Sequence, residues 1–451
     1  MRRSFGSSTH PAQRRRWGTV AASTAVVALA GTGVAQAWTA PPGPEPADSA
    51  APRSLAGDPD LEGQVTFWHA YSADSPEVET LDNTIVPAFN ALYPSIEVET
   101  VAIPYDDLHQ KLVTAVAGGA LPDLVRSDII WVPELADLGV LVPLDDEMAD
   151  FQQYADQMYP GALATNVWED HYYGLPLDTN TRVQMYNADT LSAIGLDAPP
   201  ATFDELRAAA ENLPEDTYLF ADNGTSGWNV LPWIWSAGGT VTDDAVTTAT
   251  GYLNSPESVA GVQLLVDLYQ AGAIPDIILG GEGGTPTSDG LATGSYATIF
   301  DGPWMFPIFE SQYPDFDLQT APVPAGDGGS VSVVGGESVV LTESSENRDA
   351  ALAFLRYLLS TEAQLAMAEV GQMPVLSGLG AQLTDIQPYY ATFVEQLQTA
   401  RPRTPTPAWP QIDELLQQHT RQALTGDVTA QEALDAAAAE VDALLAEYAG
   451  D

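Results

Sequence analysis

The chain of 451 residues contains no cysteine. That excludes disulfides, thiolate metal sites, cysteine nucleophiles and a lipid anchor on an N-terminal cysteine. Cations are scarce too: 15 Lys and Arg stand against 62 Asp and Glu, a formal net charge of -47 at pH 7. Lys111 is the single lysine. No face can be strongly basic with so few cations, so DNA and RNA phosphates are excluded as partners. The common catalytic signatures are missing as well. There is no G-x-x-x-x-G-K-[ST] loop, no H-E-x-x-H, no G-x-S-x-G elbow and no D-x-[DN]-x-[DN]-G calcium loop. The five histidines, at 10, 69, 109, 171 and 419, are scattered. The reading is therefore no catalytic residues, no metal and no cofactor. Gly280-Gly281-Glu282-Gly283-Gly284 reads as a flexible loop, because an acid beside the glycines does not suit a phosphate.

What is present begins at the N-terminus. Arg2, Arg3, Arg14, Arg15 and Arg16 precede an uncharged stretch from Trp17 to Pro44, and Ala35-Gln36-Ala37 has the small-x-small form of a signal-peptidase site. The expectation is a signal peptide over residues 1–37 and export from the cytoplasm. An uncleaved anchor is the alternative, since Gly18 to Ala37 has the length to span a bilayer. Residues 38–61, with Pro41-Pro42-Gly43-Pro44-Glu45-Pro46, read as a linker. Without the signal segment, 10 cations face the same 62 acids. Such a surface suits high salt, and equally follows from a GC-rich genome.

Further along, short apolar runs alternate with helical patterns. Val65-Thr66-Phe67-Trp68 reads as a strand, Leu81 to Tyr93 as a helix, Ile96 to Val101 as a strand, Leu108 to Ala117 as a helix and Asp123-Leu124-Val125 as a strand. This order predicts a parallel sheet with helices on its faces. Thr202-Phe203-Asp204-Glu205, Thr361-Glu362-Ala363-Gln364 and Thr429-Ala430-Gln431-Glu432 fit capping boxes, and Ser255-Pro256-Glu257 a capped helix start. Ala297-Thr298-Ile299-Phe300 and Ser338-Val339-Val340-Leu341 read as later strands. The C-terminal third is mostly helical.

Carboxylate pairs such as Asp106-Asp107 and Asp145-Asp146 are too common among 62 acids to mark glycosidase chemistry. Aromatic residues in polar, turn-like settings are more informative: Trp68-His69-Ala70-Tyr71, Gly227-Trp228, Trp233-Ile234-Trp235, Asp301-Gly302-Pro303-Trp304, and Trp409 in a proline-rich run. Sugar rings stack their C–H faces on flat aromatics and need fixed polar partners for their hydroxyls. Burial of these tryptophans in a core is the competing reading.

Several segments, in order, resemble the extracellular solute-binding proteins of carbohydrate ABC transporters, the family of maltose-binding-like proteins. They are Val65-Thr66-Phe67-Trp68-His69; Pro87-Ala88-Phe89-Asn90 through Tyr93-Pro94 with Ile96-Glu97-Val98; and Leu121-Pro122-Asp123-Leu124-Val125 with Asp128 and Trp131. Next come Tyr173-Gly174-Leu175-Pro176-Leu177-Asp178 with Tyr186-Asn187, and Pro200-Ala201-Thr202-Phe203-Asp204-Glu205-Leu206, with Phe where the family usually has Trp. Asp301-Gly302-Pro303-Trp304 and Ala350 to Val370 followed by Gly371-Gln372-Met373-Pro374 complete the set.

The resemblance implies an α/β protein of the periplasmic-binding-protein type II fold: two α/β lobes joined by hinge strands, with the ligand cleft between them. The implied division is 62–177 plus 325–371 for the first lobe and 180–321 plus 375–451 for the second. It implies ligand contacts at Trp68, Tyr71, Asp128, Asp178, Asn180, Trp228, Trp304, Glu337 and Arg403, with Trp304 stacking and the polar groups holding hydroxyls. It also implies a sugar ligand, mono- or oligosaccharide, captured by hinge closure and delivered by a monomer to a separate membrane permease. The family's Gram-positive members usually carry a lipid-anchoring cysteine, absent here. A secreted glycoside-active enzyme and a binder of a non-sugar solute on the same fold stay open as rivals.

Overall fold

The short apolar runs become strands of two sheets, bridged by a third. The computed structural model describes residues 60–73, 75–214, 216–280 and 285–448. The expected signal peptide, and the linker as far as residue 59, lie outside the described residues. Among the described residues the strands are β1 (Gly63–His69), β2 (Ile96–Ala102), β3 (Leu124–Asp128), β4 (Val167–Trp168), β5 (His171–Tyr172), β6 (Leu175–Pro176), β7 (Asp178–Thr181), β8 (Val183–Tyr186), β9 (Tyr218–Ala221), β10 (Tyr296–Asp301), β11 (Gln319–Ala321), β12 (Val334–Gly335), β13 (Glu337–Leu341) and β14 (Met373–Pro374). None of the described helices is long and apolar enough to cross a membrane.

The first sheet has the order β2-β1-β3-β13-β6. Along β1 every second side chain, Val65, Phe67 and His69, is buried, as the two-residue period of a strand requires. Phe67 and Phe89 pack edge-on to Phe354 of the helix Arg348–Leu358, at centroid distances of 5.8 and 5.0 Å. The expected parallel pairing holds for β2-β1-β3. The other edge differs: β13 runs antiparallel to both β3 and β6. It needs no helical crossover, because it arrives from the opposite lobe.

The second sheet has the order β11-β8-β10-β9. Trp233 stacks on Phe300 at 5.3 Å and meets Phe220 edge-on at 5.2 Å. Val331 and Val333 belong to this second core, although residues 325–333 are expected in the first lobe. The reason lies in the pairing: Ala325 bridges to Thr202, and Val333 to Arg401, before the chain crosses back.

The bridging sheet, β12-β7-β14, lies between the two in the chain path. Strand β7 follows β6 after Leu177 and leads into β8 after Arg182. Strand β12 leads back into β13 through Gly336. At Gly336 φ is +128°, and a Cβ there would stand 2.4 Å from the Asp178 carbonyl oxygen. Only glycine fits this crossing.

Local signals explain the helices, with two shifts. The helix expected from Leu81 starts at Pro76, where the Ser75 hydroxyl accepts from Val78 N–H. It continues to Leu92 through one wide turn, Leu81–Ile85, in which Val86 N–H reaches back to the Leu81 carbonyl. Pro87, which offers no N–H, sits directly after that turn. The helix expected to be capped by Thr361 is capped one residue earlier, by Ser360. The box at Thr429 forms in full, with Thr429 Oγ1 accepting from Glu432 N–H at 3.2 Å and Glu432 Oε2 from Thr429 N–H at 2.9 Å. At Thr202 the Oγ1 accepts from Glu205 N–H at 3.2 Å, but the Glu205 carboxylate accepts from Ala201 N–H instead. Replacing Thr202 with Ala removes one acceptor from the first turn, with an expected cost of about 1 kcal/mol. Denaturant titration of wild type and variant measures it, and Thr202→Asp should recover most of the loss.

Candidate functional site

Two groups of polar and aromatic side chains meet where the first sheet, the bridging strands and the second lobe come together. The first is a floor of rings and paired charges. Asp128 ends β3, and its Oδ1 accepts from Ile130 N–H at 2.9 Å, which orients the carboxylate. Arg403 comes from the C-terminal segment beside Arg401, which pairs with the second lobe. Its Nη2 donates to Asp128 Oδ1 at 3.3 Å, so one buried ion pair spans the two lobes. Tyr105 donates its hydroxyl to Asp128 Oδ2 at 2.7 Å. Desolvation of the hydroxyl first, and the Asp128 charge next, push the Tyr105 phenol well above its ordinary range, although the residue as a whole is 43% exposed.

Trp228 lies in the first turn of the helix Gly227–Ser236 and is half-buried. The guanidinium carbons of Arg182 and Arg403 each stand 5.6 Å from its ring centre, within cation–π range. Trp304, also half-buried, lies 6.2 Å from Trp228 with the two rings 30° apart. The Asp301-Gly302-Pro303 turn permits this: a Cβ on Gly302 would strike the Trp304 ring at 2.1 Å. Asn180, on β7, completes the floor. Its Oδ1 is buried and accepts no hydrogen bond from the protein. A Cβ on neighbouring Gly335 would meet both that oxygen and the Trp228 ring. Such an unpaired buried acceptor asks for an external donor.

The second group surrounds Arg126, a residue the sequence reading did not single out. Its Nε and Nη2 donate to Asp178 Oδ2 at 3.1 and 2.9 Å, and Nη2 lies 2.7 Å from Glu337 Oε2. The Tyr71 ring covers its guanidinium carbon at 4.1 Å. Tyr71, Asp178 and Glu337 therefore gather around a cation, and Tyr71 and Asp178 are only 5% and 4% exposed. Burial raises the Glu337 carboxyl well above the usual carboxylate range, against the pull of Arg126.

Trp68 joins neither group. It packs with Leu108, Leu112 and Val125 under the Lys111 ammonium, 4.5 Å from its ring centre. Trp233, Trp235 and Trp409 are core residues, at 1%, 3% and 1% exposure, so their turn-like sequence settings were misleading. The sequence did carry a signal for Arg126 and Arg182. Each is a rare cation set among strand-forming residues of an acidic chain, and both are buried against carboxylates. Among the described residues no group of three or more His, Asp or Glu side chains is arranged to hold a metal ion.

Asp301, beside Trp304, has its pKa pushed up to about 6 by burial, although Arg182 pulls the other way. The unfolded chain gives up this proton near 3.8 and the folded chain near 6. This group's stabilising contribution is therefore full below about 3.8 and is lost as pH rises to about 6. Tryptophan emission should shift over the same window, and Asp301→Asn should flatten both changes. A wild-type emission profile that is level from pH 4 to 7 would count against the assignment.

Comparison with known proteins agrees with this architecture. A solute-binding protein from Thermotoga lettingae, solved with α-D-tagatose, has a TM-score of 0.75 at 28% identity, over 85% of this chain and 100% of that one. The cyclic α-maltosyl-1,6-maltose binding protein of Arthrobacter globiformis gives 0.72 at 27%, over 85% and 99%. In sequence, the maltotriose-binding protein of Pyrococcus abyssi is 27% identical over 330 residues, 70% of this chain and 67% of that protein. The bacterial extracellular solute-binding protein family matches residues 72–365, well over half the chain. The fold is thus the two-lobed type II architecture, and the chain belongs to the bacterial extracellular solute-binding protein family.

Proposed function

We propose that this chain is the sugar-capturing component of an ABC import system. It binds a mono- or oligosaccharide between its lobes and presents the closed form to a separate membrane permease. The observation that carries this is the paired Trp228 and Trp304 rings beside an unpartnered Asn180 oxygen and the Asp128–Arg403 pair. Flat faces with fixed donors and acceptors suit the C–H faces and hydroxyls of a sugar. The sugars bound by the relatives from Pyrococcus, Thermotoga and Arthrobacter support the same class. In this reading Trp304 and Trp228 stack on the ring, Asn180 accepts from a hydroxyl, and Asp128 and Arg403 bind it from opposite lobes.

Binding shifts the lobes toward the closed form by contacts made only there. No bond in the sugar is broken. The signal segment at 1–37 directs export, and the protein acts outside the cytoplasm as a monomer. The lobes divide where β6 passes to β7, where β12 passes to β13 and at β14. Isothermal titration against maltose, trehalose, maltotriose and cyclic maltodextrins tests the reading, with reducing ends assayed in parallel. Heat of binding from at least one sugar, with no new reducing ends, is expected. Silence across the panel together with sugar hydrolysis would overturn it in favour of an enzyme.

A further inference from the structure

Arg126 is the middle residue of β3, in the stretch Leu-Val-Arg-Ser-Asp, and all five residues are buried. A guanidinium in such a place needs partners for its donors. Those it has share one property: each stands on a different segment joining the lobes. Asp178 opens β7, on the outward path from β6 to β8. Glu337 opens β13, on the return path just past Gly336. Gln372 directly precedes β14 on the third path, and its Oε1 accepts from Arg126 Nη2 at 3.3 Å. Gln372 in turn donates to Glu77 Oε1 at 3.3 Å, which ties the third path to the start of the helix Pro76–Thr80.

The pairings along the strands hold the same junction. Glu337 stands opposite Asp128, and Pro374 opposite Asp178. Asp178 is already used on both oxygens, Oδ2 by Arg126 and Oδ1 by Glu337 N–H at 3.3 Å.

We propose that Arg126 is the positioning residue of the hinge: one guanidinium pins all three crossing segments at the first lobe and so fixes the angle the lobes adopt. It touches no ligand and acts through Asp178, Glu337 and Gln372. Two acids sharing one buried cation make the pin demanding, since loss of the cation leaves both unpaired. Planar, five-donor geometry explains why arginine, and not the chain's single lysine, stands here. The inference rests on the proposed lobe motion, and its central test needs no sugar.

Because the chain has no cysteine, Asp137→Cys on the first lobe and Asp267→Cys on the second supply two unique spin-label sites. Both positions are exposed. Double electron–electron resonance then reads the spread of lobe-to-lobe distances. The sugar-free protein with Arg126 intact should give one narrow distribution. Arg126→Met leaves two buried carboxylates and is a risk to folding. The combination Arg126→Met/Asp178→Asn/Glu337→Gln removes the charge imbalance and should melt within about 5 °C of wild type. Its distance distribution should be at least twice as wide, and Arg126→Lys should fall between the two. If the combined variant folds and its distribution matches wild type, the pin is disproved. So too if Arg126→Lys matches wild type in the same measurement. Where a panel sugar binds, the combined variant should bind it about tenfold more weakly, mainly through faster dissociation. Failure of every sugar would count against the function proposed above while leaving the distance result to decide the hinge.

Discussion

Replacing Trp304 with alanine should weaken binding of the best panel sugar about 30-fold, a loss near 2 kcal/mol, while leaving the melting temperature within about 3 °C of wild type. The ring is half-buried at the rim of the second-lobe core, so its removal opens no sealed cavity. What it removes is a flat face set 6.2 Å from Trp228 by a turn that only glycine at 302 permits. Trp304→Phe keeps an aromatic face of smaller area and should recover about half of the lost free energy. Titration calorimetry measures the affinity and thermal unfolding gives the control. Wild-type affinity in Trp304→Ala would remove the stacking role. A large fall in melting temperature without loss of affinity would instead make the ring a core residue.

The second large effect is on stability. Arg182 is 2% exposed, and its Nη2 pairs with Asp222 at 2.7 Å and donates to the Phe300 carbonyl, while Nη1 reaches the Trp228 carbonyl at 3.1 Å. It therefore ties the segment between β7 and β8 to the end of β10 and to the Trp228 helix. Arg182→Met should cost about 3–5 kcal/mol, because Asp222 stays buried with only Asn229 and its neighbour's N–H for donors. The expected fall in melting temperature is roughly 10 °C, followed by the emission of Trp233 and Trp235. Asp222→Asn added to Arg182→Met should restore about half of it, since the unpaired charge is then gone. A single variant that melts within about 2 °C of wild type would show that the pair contributes nothing net.

Much of the fold was legible before any coordinates. The period-two burial of β1 and the helix caps at Thr202 and Thr429 are local devices, set by residues within a few positions of one another. The wide turn before Pro87 and the capping of one helix by Ser360 were missed, though both are also local. The antiparallel entry of β13 was not legible, because it depends on where the chain has been for the preceding 150 or so residues.

The site divides in the same way. Trp228 stands in the first turn of one helix and Trp304 just before another, and both stay half-buried. Trp233, Trp235 and Trp409 carry similar neighbours but are drawn into the second core, and no local rule separates them from Trp228. Asp178 and Glu337 look like free hydrogen-bonding groups until Arg126 is set between them.

The sequence by itself determined the chemistry available: an acidic chain without thiols, with few cations and with aromatic turns, ordered like a two-lobed binder. Composition and short-range spacing are properties of the chain alone, so no folding is needed to read them. Only the tertiary structure decided which acids received a cation. With four acids for every base, pairing depends on burial and on contacts between residues far apart in the chain, and these exist only once the two sheets have formed around the crossing strands.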